Sequence, residues 1–123
     1  MKRSLTKRER LRTRREIDRV FKVGKTATCR GMRLAYAVNG FGLSRLVVIP
    51  GRGHKNAVER NRSKRLGKES FRSVKERIVA GFDLVIVCHP GDYRYADRHK
   101  QMLQLLSLEH LLRSPVTENS QRQ

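Results

Sequence analysis

Acid is what this chain has least of: 11 Asp and Glu stand against 29 Lys and Arg in 123 residues. The carboxylates are also scattered. Glu59, Glu69 and Glu76 sit among cations, and Asp92 and Asp97 lie in or near a turn, so no close acidic cluster like that of a two-metal nuclease is present. The spacing of Asp92 and Asp97 suits a shared cation or, more simply, two solvated turn residues. Cysteine is scarce too. Cys29 and Cys88 make no disulfide framework, and with His54, His89, His99 and His110 they give no zinc-ligand spacing. No apolar run reaches the ~18 residues that cross a membrane. The first residues lack the apolar stretch of a secretory signal, so a reducing cytoplasm is the expected compartment. Gly51-Arg52-Gly53-His54-Lys55 lacks the glycine-lysine-hydroxyl ending of a phosphate loop, and no zinc knuckle, glycine-bounded KH loop or internal repeat is found. Aromatics are few: Phe21, Tyr36, Phe41, Phe71, Phe82, Tyr93 and Tyr95.

What is present in excess is positive charge, formally +18. Self-repulsion on that scale opposes a compact fold and is relieved when a polyanion binds. The charge is concentrated between Lys55 and Arg72. At 100° per residue, Asn61, Lys64, Arg65, Lys68, Arg72 and Lys75 share one arc of a helix, and Ser63, Leu66, Gly67, Ser70, Phe71, Val74 and Ile78 fill the opposite one. A merely solvated face mixes signs for i,i+4 pairing; this outer arc carries five cations and no carboxylate, which points to nucleic-acid contact. Gly67 inside a helix costs about 1 kcal/mol relative to Ala, so a close seat on a sheet is expected there.

Residues 1–13 read as a basic flexible arm, 14–112 as one nucleic-acid-binding α/β domain, and 113–123 as a polar tail. Thr13 and Glu16 have capping-box spacing, so a helix starts near Arg14, carries Ile17, Val20 and Phe21 on one stripe and stops at Gly24. Thr26 to Arg30 is a short candidate strand. Met32, Leu34, Tyr36 and Val38 alternate as a strand with one buried face. Asn39-Gly40-Phe41-Gly42 is a turn whose glycines supply the positive φ that hairpins need. Ser44 to Ile49 is a β-branched strand stopped by Pro50. The basic helix then runs to Gly81, Phe82 to His89 is a central strand buried on both faces, and a last helix spans about 93–112. The order α-β-β-β-α-β-α defines an α+β fold, a single α/β sandwich in which the basic helix joins parallel neighbouring strands. Phe21 and Tyr36 either face one cleft suited to single-stranded RNA or belong to the core. His54 and His99 make an acid–base pair for RNA cleavage only if the fold brings them together.

Ala57-Val58-Glu59-Arg60-Asn61-Arg62-Ser63-Lys64-Arg65, followed by Glu69-Ser70-Phe71-Arg72, resembles the signature of the bacterial ribonuclease P protein subunit. Arg19 to Gly24 is similar to that family's first helix and Gly81 to Val87 to its last strand, so the resemblance covers residues 13–112. It implies a small basic partner of a catalytic RNA that removes the 5′ leader of precursor tRNA, with Mg2+ bound mainly by the RNA and no catalytic residue or metal site on the protein. It implies a left-handed βαβ crossover through the basic helix, against the usual right-handed rule. By position, Arg60, Asn61, Arg62, Lys64 and Arg65 contact the catalytic RNA; Lys55, Asn56, Lys68 and Arg72 extend that face. Phe21 lies in the leader cleft, with Tyr36 beside it at a one-residue slip from Ala35. Ile17 stands where the family often has phenylalanine. The implied partners are the catalytic RNA and the precursor tRNA leader, with neither DNA nor membrane. A ribosomal or other structural RNA-binding protein is the alternative, and a self-sufficient RNase using His54 and His99 ranks third.

Overall fold

The computed structural model describes residues 7–113; the first six residues of the expected arm, and the expected tail from 114 onward, lie outside them. Seven elements follow in the anticipated order: α1 (Arg14–Val23), β1 (Lys25–Cys29), β2 (Met32–Val38), β3 (Arg45–Pro50), α2 (Ala57–Val74), β4 (Phe82–Cys88) and α3 (Tyr95–Leu108). Local chemistry sets the ends. Thr13 accepts from the Glu16 amide while Glu16 reaches back to the Thr13 amide, so both orphan donors at the start of α1 are satisfied. Gly24 ends the helix through close approach: a Cβ there would lie 2.1 Å from the Tyr36 carbonyl oxygen. The basic helix stops at Val74, earlier than the glycine punctuation suggests, and a 3-10 turn at Lys75–Arg77 carries the chain onward.

The sheet runs β1-β2-β4-β3. β1 pairs antiparallel with β2, β2 antiparallel with β4, and β3 parallel with β4. The turn after β2 therefore makes no hairpin, because β4 inserts between β2 and β3. Side chains alternate across the sheet. Met32, Leu34, Leu46, Val48, Leu84, Ile86 and Cys88 meet Phe71 and Val74 of α2 and Met102, Leu105 and Leu106 of α3. On the other face Ala35, Ala37 and Val85 meet Val20 of α1 and Leu11. Central β4 is thus buried on both sides. Within the segment read as an arm, Lys7–Glu9 forms a 3-10 turn, Arg10 bridges to Leu46, and Leu11 is 4% exposed against the sheet.

Stereochemistry gives the hand of the β3-α2-β4 connection. Leu46 points its side chain into the core beneath α2, and its carbonyl accepts from the Leu11 amide at 3.0 Å, on the edge away from β4. Viewed from the side-chain face of an L-residue, with the strand running upward, the carbonyl points right. β4 lies to the left of β3, and a helix crossing in front to reach it makes a left-handed crossover, the rare hand.

Candidate nucleic-acid interface

Helix α2 is seated by its smallest residues. Ser63, Gly67, Ser70, Phe71 and Val74 are buried, and a Cβ on Gly67 would meet Val48 Cγ1 at 2.7 Å and Cys88 Sγ at 3.0 Å. Bare backbone at this position lets the helix lie against β3 and β4. Its start is fixed by Asn56, whose Oδ1 accepts from the Glu59 amide at 3.0 Å; that oxygen caps the helix. Lys55, Asn56, Arg60, Asn61, Arg65, Lys68 and Arg72 are then exposed, with Arg62 and Lys64 half-buried. Of the wheel's outer arc, Asn61, Arg65, Lys68 and Arg72 are exposed and Lys64 is half-buried, whereas Lys75 falls in the 3-10 turn after α2 and is ion-paired with Glu9 at 3.0 Å.

A buried cation anchors the same end of α2. Arg98 of α3, 1% exposed, donates to the carbonyls of Gly31 and His89 at 2.7 Å each and to Gln101 Oε1 at 3.1 Å, and packs over the Tyr93 ring at 4.4 Å. Desolvation lowers its pKa. Beside it, Ser63 Oγ lies 2.7 Å from His54 Nε2, while His54 Nδ1 faces the Gly51 carbonyl at 2.9 Å. Both ring nitrogens of His54 are therefore engaged, whereas His99 stacks on Tyr95 with centroids 5.7 Å apart. The fold does not assemble a His54–His99 pair. Along the β3 edge a cavity of about 320 Å³ is lined by Lys64, Lys68 and Arg72 of α2 and by Arg10, over a floor of Leu46 and Val48.

The opposite face of the sheet is only partly roofed. One ten-residue helix covers it, and Ile17, Phe21, Val47, Ile49 and Val87 are left half-buried around the gap. The Arg33 guanidinium lies over the Phe21 ring at 5.4 Å. An ionic cluster pins α1 beside this cleft. Asp83, 1% exposed, accepts from Arg45 Nε and Nη2 at 2.8 Å each and from Asn39 Nδ2 at 2.9 Å, and Arg45 Nη1 reaches Glu16 Oε2 at 3.0 Å. Backbone amides of Arg12 and Thr13 hold the Glu16 carboxyl below its usual pKa, and Arg45 adds to that.

Tyr36 does not share the cleft, which corrects the expectation for that residue. It lies on the α2/α3 face, edge-on to Phe82 at 6.0 Å, and its hydroxyl donates to Glu109 Oε1 at 2.5 Å. Burial and the neighbouring carboxylate push its pKa up to about 12. Ala35, its neighbour in the chain, is the residue on the cleft face. Sequence reasoning missed Leu11, Arg98, Asp83 and Arg33. Among the described residues no group of three or more His, Cys, Asp or Glu could hold a metal ion, and no helix is long and apolar enough to cross a membrane.

A cation-faced helix seated on a mixed sheet whose reverse face is only partly covered defines a small basic α/β protein with a surface for a polyanion. The particular family follows from likeness to known proteins: the family model described as Ribonuclease P matches residues 5–110, and the chain belongs to that family. A ribonuclease P protein component of Thermotoga maritima is 39% identical over 87 residues, covering 71% of this chain and 74% of the relative. The component from Caldanaerobacter subterraneus is 33% identical over 124 residues, covering 99% and 100%. The solved RNase P protein of Thermotoga maritima superposes with a TM-score of 0.68 at 31% identity, over 78% of this chain and 93% of that one.

Proposed function

We propose that this chain is the protein subunit of a ribonuclease P ribonucleoprotein, holding the catalytic RNA on α2 and the 5′ leader of precursor tRNA in the cleft beside α1. The observation that carries this reading is the seating of α2: burial of Ser63, Gly67 and Ser70 turns Asn61, Arg65, Lys68 and Arg72 outward together, and Arg60 is exposed in the first turn of the helix. Arg62 and Lys64, half-buried at the margins, widen the same face, and Lys55 and Asn56 extend it at the helix start. Cations in a row neutralise successive phosphates and release their counterions. In the cleft, Phe21 offers a ring for an unpaired base. The chemistry belongs to the RNA in this reading. His54 is spent on Gly51 and Ser63, and Mg2+ is held mainly by the RNA in this reading. The two free thiols suit a reducing cytoplasm.

Reconstitution tests the assignment. Purified protein with precursor tRNA gives no cleavage; adding ribonuclease P RNA gives correctly placed cleavage at a magnesium concentration where the RNA alone is slow. Efficient, accurate cleavage by RNA-free protein would refute the subunit reading.

A further inference from the structure

Among the described residues three guanidinium groups lie over aromatic rings, and two of them have other partners. Arg45, over Phe41 at 4.9 Å, is also ion-paired with Asp83 and Glu16. Arg98, over Tyr93, is bound by buried carbonyls. Arg33 differs: it is exposed, meets no carboxylate among the described residues, and lies over Phe21 on the cleft face. Register places it between Thr28 of β1 and Val87 of β4.

We propose that Arg33 takes a phosphate of the single-stranded leader, held ready for it by the Phe21 ring. The inference rests on the reading of this cleft as the leader site and adds the residue that meets the leader's backbone. A nucleotide needs a surface for its base and a cation for its phosphate. Phe21, Val47, Ile49 and Val87 supply the first, half-buried and with no charged atom. Arg33 beside them supplies the second. The Arg33 guanidinium, drawn over a ring by cation–π attraction, has no carboxylate among the described residues competing for its N–H groups, and a phosphate can take two of them. Its planar fork is pre-organised, so less freedom is lost per hydrogen bond than for a lysine. Because this contact is to backbone, it strengthens leader binding without choosing a leader sequence.

The experiment is a potassium chloride titration of holoenzyme affinity, using precursor tRNA with a short unpaired leader and the same tRNA without it. It compares wild type with Arg33→Ala, Arg33→Lys and Phe21→Ala, each protein checked by thermal melting. Arg33→Ala is expected to make the log–log salt slope shallower by about 0.7 for the leader-bearing RNA only. Arg33→Lys keeps that slope, because it keeps the charge, yet binds the leader less tightly because an ammonium cannot make the two-pronged fork to a phosphate. Phe21→Ala weakens the leader-bearing RNA by about 5- to 150-fold. A leader-specific loss in Phe21→Ala with an unchanged slope in Arg33→Ala overturns the role of Arg33 and leaves the cleft reading standing. No leader-specific loss in either variant overturns both. An equal slope change with and without the leader also rejects the inference, since Arg33 would then touch the tRNA body. So does a large drop in melting temperature for Arg33→Ala with equal loss for both RNAs, which would make the residue structural.

Discussion

Tyr36 and Ala35 are adjacent in the chain and serve opposite faces of the sheet. The Tyr36 hydroxyl is committed to Glu109, which ties β2 to the chain just after α3. Its pKa is raised from 10.0 to about 12, so the folded protein keeps a proton there that the unfolded chain gives up. The contribution to stability is full below pH 10 and disappears as pH rises toward 12. Denaturant unfolding of wild type between those limits should show a steeper loss of stability than Tyr36→Phe, which has no proton to retain. Equal slopes in the two proteins would mean that neither burial nor Glu109 raises the phenol's pKa in the fold. At this scale the sequence is informative about local rules and silent about company. The capping box of Thr13 and Glu16 is legible because both partners lie within one turn. The alternation of Met32, Leu34 and Tyr36 groups them on one face, but Val38 at the end of the series is exposed and Ala35 and Ala37 are buried on the other face, so β2 is covered on both sides and not on one. Leu11 is a lone apolar residue among cations, and Asp83 a lone acid in an apolar strand; each is explained only by partners far along the chain.

Helix α2 carries the clearest separation of duties. Its inner arc is set by steric fit and its outer arc by charge, and the two respond differently to substitution. Gly67→Leu forces a branched side chain into the space of Val48 and Cys88, and a cost of roughly 1–3 kcal/mol or more from overpacking is expected. Lys64→Ala and Arg65→Ala should leave the melting temperature nearly unchanged, while each makes the salt slope of affinity for the catalytic RNA shallower by about 0.7–1. Cooperative melts and salt titrations on the three proteins check this. Unchanged slopes in both cation variants would reduce the outer arc to a solvated surface. The wheel makes this element readable in advance, because one helix contains both halves of the pattern. Its hand of crossover is not readable locally: it depends on the edge of β3 that β4 occupies, which the carbonyl of Leu46 reveals and the residue order does not. The turn at Asn39–Gly42 is misjudged as part of a hairpin for a related reason, since a strand that arrives 40 residues later takes the neighbouring place.

For the whole molecule, salt has two opposed effects. A formal charge of +18 on 123 residues repels itself, and screening that repulsion should raise the melting temperature of the free protein between low and moderate ionic strength. The same screening weakens the hold on RNA, because counterion release contributes less at higher salt. A melting series in potassium chloride, run beside a binding series over the same range, should therefore move in opposite directions. If the melting temperature falls with salt, the ion pairs around Asp83 and Glu16 outweigh the net repulsion. Composition makes this global behaviour visible from the first count of residues, whereas the partly roofed sheet face becomes visible only once α1 is seen to cover the sheet incompletely.

The contact between Gly67 and Cys88 also gives the protein a chemical clock. Cys88 is fully buried beneath α2, and desolvation raises its thiol pKa, so alkylating reagents must wait for the helix to swing away from the sheet. With half-buried Cys29 replaced by serine, the modification rate counts those openings directly. A catalytic RNA bound along the outer arc would stretch the interval between them, and the thiol would then time how firmly an RNA grips the far side of the helix.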